Sequence, residues 1–200
     1  PDERNLLIVH SEALVPPELY VQRARTNAEA TKITDTVSAA FKGIDWAEPD
    51  FIEVRSSFSQ DPIHSRVYTP NDSSRNRPAV VFIHGSGYLQ NAHQGWSSYF
   101  REFMFHSFLV QQGYVVLDMD YRASLGYGRD WRTAIYRQMG TPEVQDLANG
   151  VDYLVANKSV DRARVCAYGG SYGGFLTLMS LFKKPSLFAC GAALRPVTDW

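Results

Sequence analysis

Two rhythms of apolar positions divide the chain. Up to about residue 77 the apolar residues come in short runs. Leu6-Leu7-Ile8-Val9-His10 and Leu19-Tyr20-Val21, on either side of the Pro16-Pro17 break, read as hairpin pieces with no core of their own. Residues 28–35 read as polar and turn-like. Phe51 to Arg55 and Ile63 to Tyr68 alternate well enough for two antiparallel strands, and Asn71 to Asn76 is a surface loop between Pro70 and Pro78.

From Pro78 the rhythm becomes strand, helix, strand. Ala79-Val80-Val81-Phe82-Ile83 is a continuous apolar run, as expected of a strand buried on both faces. Trp96, Tyr99, Phe100, Phe103 and Met104 recur at helical spacing and read as core. Tyr114 to Leu117 is the next strand. Thr141-Pro142-Glu143 reads as a helix start, with a capping hydroxyl, proline in the first turn and an acid at the positive end of the dipole. Val144, Leu147, Ala148, Val151, Leu154 and Val155 form that helix's apolar stripe. Arg164 to Tyr168 is a strand, Phe175 to Leu181 a helix and Phe188 to Leu194 a strand. This alternation predicts an α/β fold with a mostly parallel, doubly wound sheet.

Composition narrows the function classes. Lys+Arg is 20 and Asp+Glu 21 in 200 residues, which excludes a polybasic nucleic-acid binder. No stretch reaches the ~18 apolar residues of a membrane span. There is no zinc-site spacing and no P-loop, so neither metal nor cofactor is expected. Cys166 and Cys190 read as two small buried hydrophobes. The first residue is Pro1 and no signal segment is visible, so the chain is expected to be cut from a longer protein, with its compartment unassigned.

The chemistry concentrates in Gly169-Gly170-Ser171-Tyr172-Gly173-Gly174. It contains G-x-S-x-G with a strand before and an apolar helix after. A nucleophilic serine at the tip of a sharp strand-to-helix turn needs that context. The residues two before and two after must lack side chains where strand and helix converge. Ser171 is therefore the expected nucleophile, and the Tyr172 N–H, at the helix N-terminus, an expected oxyanion donor. Ile83-His84-Gly85-Ser86-Gly87-Tyr88, directly after the buried strand, suits the second donor: the Ser86 N–H, or alternatively the Tyr88 hydroxyl. His84 reads as a brace of that turn, because in this topology the base follows the nucleophile. No histidine follows Ser171, and the only acid after it is Asp199. The chain ends 29 residues past Ser171, so the triad is expected to be incomplete within it. Asp118, Asp120 and Arg122, at a strand end, read first as structural pairing and second as substrate contacts.

Taken together, Asp120-Tyr121-Arg122, Gly126 to Trp131, Gly140, residues 144–154, Tyr168 to Gly174 and Arg195-Pro196-Val197-Thr198-Asp199-Trp200 resemble the prolyl oligopeptidase family of serine peptidases, especially its dipeptidyl peptidase IV and acylaminoacyl peptidase branches. The resemblance implies an α/β-hydrolase domain, incomplete at its C-terminus, over residues 46–200. It implies the end of a β-propeller over residues 1–45. It further implies short peptides as substrates, with Tyr172, Val197 and Trp200 lining the pocket for the residue before the scissile bond. A homo-oligomer of the longer protein is compatible with it. His84-Gly85-Ser86-Gly87 departs from the family's usual His-Gly-Gly-Pro or Tyr-Gly-Gly-Pro, which keeps Tyr88 beside Ser86 as alternative donor. The rival readings are a carboxylesterase on the same fold and a non-catalytic binding module. The hairpins before residue 45 speak against the esterase, and the sequence beyond Trp200 decides the other.

Overall fold

A computed structural model describes residues 3–199. Its main body is a six-stranded sheet in the order β4-β5-β7-β6-β8-β9. The strands are β4 (Asp50–Val54), β5 (Ile63–Tyr68), β6 (Arg77–Ile83), β7 (Val115–Met119), β8 (Val160–Gly170) and β9 (Cys190–Leu194). β7, β6, β8 and β9 run parallel, while β4 and β5 form an antiparallel edge. The parallel strands are joined through the helices α2 (Phe100–Gln111), α4 (Pro142–Asn157) and α5 (Tyr172–Lys183).

The period of two along the strands sorts the core into two layers. Ala79, Val81 and Ile83 of β6 and Val115, Leu117 and Met119 of β7 face α4 and α5, where Leu147, Val151, Leu154 and Leu176 meet them. Val80 and Val116 point the other way, with Phe103 and Leu109 of α2. Each such side chain, fully buried, contributes roughly 1.5–3 kcal/mol. The aromatic run before α2 is only partly helical: Trp96 and Tyr99 precede the helix, and Phe105 and Phe108 on it are exposed.

Three expectations change. Residues 28–35 are not all turn. β1 (Asn5–His10), β2 (Glu18–Arg23) and β3 (Ala30–Lys32) form a second, antiparallel sheet in that order. β3 is three exposed residues long, too short to show an alternating pattern, and its pairing with β2 makes it a strand. Two short helices also escape the periodicity, α1 (Ala39–Lys42) and α3 (Arg129–Thr133). Thr141 is not a side-chain cap of α4; its hydroxyl accepts a hydrogen bond from the Lys183 ammonium instead.

The third change concerns the cysteines. Cys166 and Cys190 are neither wholly buried nor separate: Cys190 is exposed and the two form a disulfide. They are direct partners across the parallel pair β8–β9, with Cα atoms 4.7 Å apart. One strand–helix–strand unit returns the chain to the same level of the neighbouring strand, a register no apolar run reveals.

Candidate active site

β8 ends at Gly170 and α5 begins at Tyr172, so Ser171 alone makes the turn. Its φ of 56° and ψ of −118° lie in the left-handed half of backbone space, sparsely populated by residues with a side chain. Two bonds hold it there: the Ser171 N–H donates to the Leu194 carbonyl at 2.9 Å, and its carbonyl accepts the Phe175 N–H at 3.0 Å. Tertiary structure thus over-determines a strained residue and leaves it exposed.

The flanking glycines have separate physical causes. A Cβ on Gly173 would stand 1.9 Å from the Ile83 carbonyl oxygen, and one on Gly169 2.5 Å from it. The last residue of β6 therefore fits only because both are bare. Gly170 and Gly174 face the chain after β9. A Cβ on Gly170 would come to 3.3 Å of an Arg195 guanidinium nitrogen, and one on Gly174 to 3.1 Å of Pro196 Cα. The segment carrying Val197, half-buried, thus passes over the first turn of α5. Trp200 lies outside the described residues.

The turn after β6 packs directly on this elbow. A Cβ on Gly85 would lie 3.7 Å from Ser171 Cβ, and one on Gly87 3.2 Å from the Tyr172 ring. Ser86 sits between them, exposed, with φ 55°. The Gly85 N–H is taken by the Tyr99 hydroxyl at 2.7 Å, whereas the Ser86 N–H donates to nothing among the described residues. Tyr88 is 56% exposed with its ring under the Arg132 guanidinium. Ser171, Tyr172 and Ser86 are thus brought together, and among the described residues neither the Ser86 N–H nor the Tyr88 hydroxyl donates to another group, so both alternatives stand.

His84 is enclosed. Its ring stacks on Tyr121 at 4.3 Å, Nδ1 donates to the Gly85 carbonyl at 3.0 Å, and Nε2 accepts from the Ser124 hydroxyl at 2.9 Å. The Tyr121 hydroxyl donates to the His84 carbonyl at 2.8 Å. Burial pushes the imidazole below its ordinary pKa, with Asp120 3.7 Å away opposing. Both nitrogens are spent on holding the turn. Asp120 accepts the N–H groups of Asn91 and Ala92 and the Tyr127 hydroxyl. Asn91 donates to Asp118 at 2.5 Å. Arg122 pairs with buried Asp146 and donates to the Pro142 carbonyl. All three strand-end residues are buried in structural bonds.

Sequence reasoning missed Glu143. It is fully buried in the first turn of α4, and it accepts the Tyr172 hydroxyl at 2.5 Å on one oxygen and the Gly140 N–H at 2.9 Å on the other. Burial raises its pKa, and burial with the adjacent carboxylate raises that of Tyr172. A first-turn acid looks like a partner of the helix dipole; only the tertiary structure shows it bonded to the residue next to Ser171. Among the described residues no group of three acidic, histidine or cysteine side chains could hold a metal, and no helix is long and apolar enough to cross a membrane.

The chain matches the prolyl oligopeptidase family over residues 100–200. Acylamino-acid-releasing enzyme 1 of Oryza sativa subsp. japonica is 32% identical over 126 residues, which is 63% of this chain and 15% of that protein. Dipeptidyl peptidase 8 of Mus musculus is 31% identical over 161 residues, 78% of this chain and 18% of that protein. Among solved structures, Porphyromonas gingivalis dipeptidyl peptidase 4 superposes with a TM-score of 0.84 at 27% identity, over 98% of this chain and 28% of its own. The sheet is that of an α/β-hydrolase domain, and the chain spans less than a fifth of the length of these two curated relatives.

Proposed function

The chain belongs to the prolyl oligopeptidase family, and from that premise we propose that it is the nucleophile-bearing part of a serine peptidase that cleaves short peptides through an acyl-enzyme. The observation that carries this reading is Ser171: exposed, at φ 56°, on the strand–helix turn and packed against the Gly85–Gly87 turn. Its hydroxyl attacks the scissile carbonyl and forms the ester bond. Its proton passes to a histidine outside these residues and on to the leaving amine, and water later releases the acid. The N–H groups of Tyr172 and Ser86 stabilise the oxyanion. Tyr172, Val197 and Trp200 line the pocket for the residue before the scissile bond. Residues 1–45 are the end of a β-propeller, consistent with the antiparallel β1-β2-β3 sheet.

The matched relatives are a dipeptidyl peptidase and an acylamino-acid-releasing enzyme. The two names speak of a dipeptidyl peptidase and of release of acylamino acids, and peptides that yield such products are the substrate class proposed here. The test is hydrolysis of chromogenic dipeptidyl and acylaminoacyl substrates by the full-length protein and by Ser171→Ala. Activity on one of them, lost in the variant, is expected. Turnover of simple esters alone would favour the esterase reading.

A further inference from the structure

We propose that Glu143 is a positioning residue of this site: its buried carboxylate holds the Tyr172 side chain, and through it the Tyr172 N–H, in the orientation that faces the oxyanion beside Ser171. The inference rests on the reading of Ser171 as nucleophile. No cation comes within ion-pair distance of Glu143 among the described residues, although its side chain is fully buried. A desolvated carboxyl without a counter-charge is costly and must be offset by hydrogen bonds. Two such bonds are present, and one of them ends on the residue next to the nucleophile.

The Tyr172 ring is fixed from two sides. At its flank lies Gly87, where a Cβ would approach to 3.2 Å. At its tip is the Glu143 oxygen, 2.5 Å from the hydroxyl. Fixing the ring fixes the side-chain torsions, and with them the pose of the main chain of residue 172 in the first turn of α5. Glu143 is itself held from behind. Arg122 donates to the Pro142 carbonyl at 2.7 Å and forks onto Asp146, so the residue before Glu143 and the one three after it on α4 are tied to the loop after β7. The chain of contacts runs from Arg122 through the start of α4 to Glu143, Tyr172 and the elbow. Placement of an oxyanion donor is where such rigidity matters, because a donor must lie within about 2.7–3.1 Å of the oxygen and an error near 1 Å costs on the order of 10²-fold.

The test is a double-mutant cycle in the full-length protein, with kcat and KM measured separately. Tyr172→Phe removes only the hydroxyl, and Glu143→Ala removes its acceptor. Each is expected to lower kcat roughly 10- to 100-fold with KM within about threefold, because the interaction serves the transition state. The double variant is expected to be no worse than the weaker single, since both remove one link. A folded Tyr172→Phe with unchanged kcat overturns the proposal, even where Glu143→Ala fails to fold. Additive losses, or a loss confined to KM, overturn it as well. Labelling of the wild type with a fluorophosphonate probe separates the two levels. A wild type unlabelled at Ser171 overturns the nucleophile and the proposal with it. A labelled wild type with unaffected variants overturns Glu143 alone.

Discussion

The carbonyl oxygen of Ile83 lies 1.9 Å from where a Cβ on Gly173 would stand, and Gly169 approaches the same oxygen from the other side of the elbow. The obstacle is main chain in the central strand of a sheet, which cannot turn aside as a flexible side chain can. Gly173→Ala is therefore expected to cost on the order of 3 kcal/mol from overpacking and displaced backbone, and Gly173→Val to abolish soluble protein. Gly113 is the internal comparison. It has a positive φ of 87° and no atom within 4 Å of its Cβ position, so Gly113→Ala is expected to cost only the ~1–2 kcal/mol of backbone strain. Chemical unfolding of the variants checks the order. Equal costs at the two positions would show that the Ile83 main chain yields to a Cβ at residue 173 and that close approach does not set the cost there.

Ser171 carries backbone strain at its position, and under the proposed role as nucleophile activity and stability oppose each other there. Ser171→Ala is expected to keep the fold and lower kcat by about 10⁶. Ser171→Gly is expected to be just as inactive but more stable than the alanine variant by about 1 kcal/mol, because glycine reaches φ 56° without a Cβ penalty. Paired melting curves decide this. An alanine variant as stable as the glycine variant would show that the turn stores no strain.

The elbow was legible in the sequence because its chemistry and its sterics fall on consecutive residues. Gly169, Ser171 and Gly173 are two apart, and the alternation of apolar runs around them supplies strand and helix. What was not legible depends on pairing at a distance. The start of α4 read as a capping threonine with a dipole acid. In the structure Thr141 takes a lysine from α5 and Glu143 turns inward to Tyr172, 29 residues on. The Cys166–Cys190 bond needed the β8–β9 register, and β3 needed its partner strand. His84, by contrast, reads as a brace of the turn from chain order, and in the structure its ring bonds the Gly85 carbonyl and the Ser124 hydroxyl.

The disulfide joins the strand that leads into Ser171 to the strand whose Leu194 carbonyl accepts the Ser171 N–H. It closes a loop with a sequence separation of 24, for which chain entropy gives roughly 3 kcal/mol of stabilisation. Reduction by dithiothreitol is expected to lower stability by about that much. It is also expected to speed amide exchange first in residues 190–194 and at Ser171, since β9 is the edge of the described sheet. Alkylation before and after reduction, with peptide mass mapping, checks the pairing. Free thiols in the unreduced, non-reductively purified protein would remove the basis of this prediction.

Buried and part-buried ionisable groups push the pH dependence of stability in opposite directions. Burial holds His106 down to about 3, with the Arg66 charge adding to it, and holds His84 and His93 below their ordinary range as well. Folded histidines that resist protonation cost stability as pH falls below about 6.5, where the unfolded chain takes up protons. Asp118 has the reverse sign. Burial raises it to about 7, against the Arg66 charge and the Asn91 bond that lower it. Its folded form holds a proton that the unfolded form releases near 4, so its contribution is full below about 4 and is lost as pH rises through 7. Between those limits the two slopes oppose, each up to about 1.4 kcal/mol per pH unit per group. Asp118→Asn removes one side of the balance. Relative to wild type, the variant is expected to lose stability by up to about that slope as pH is lowered from 6.5 to 5, and to differ little in slope above pH 8. Urea midpoints at pH 5, 6.5 and 8 measure it. Parallel wild-type and variant curves across this range would mean that Asp118 is ionised throughout, and that Arg66 and Asn91 compensate its burial in full.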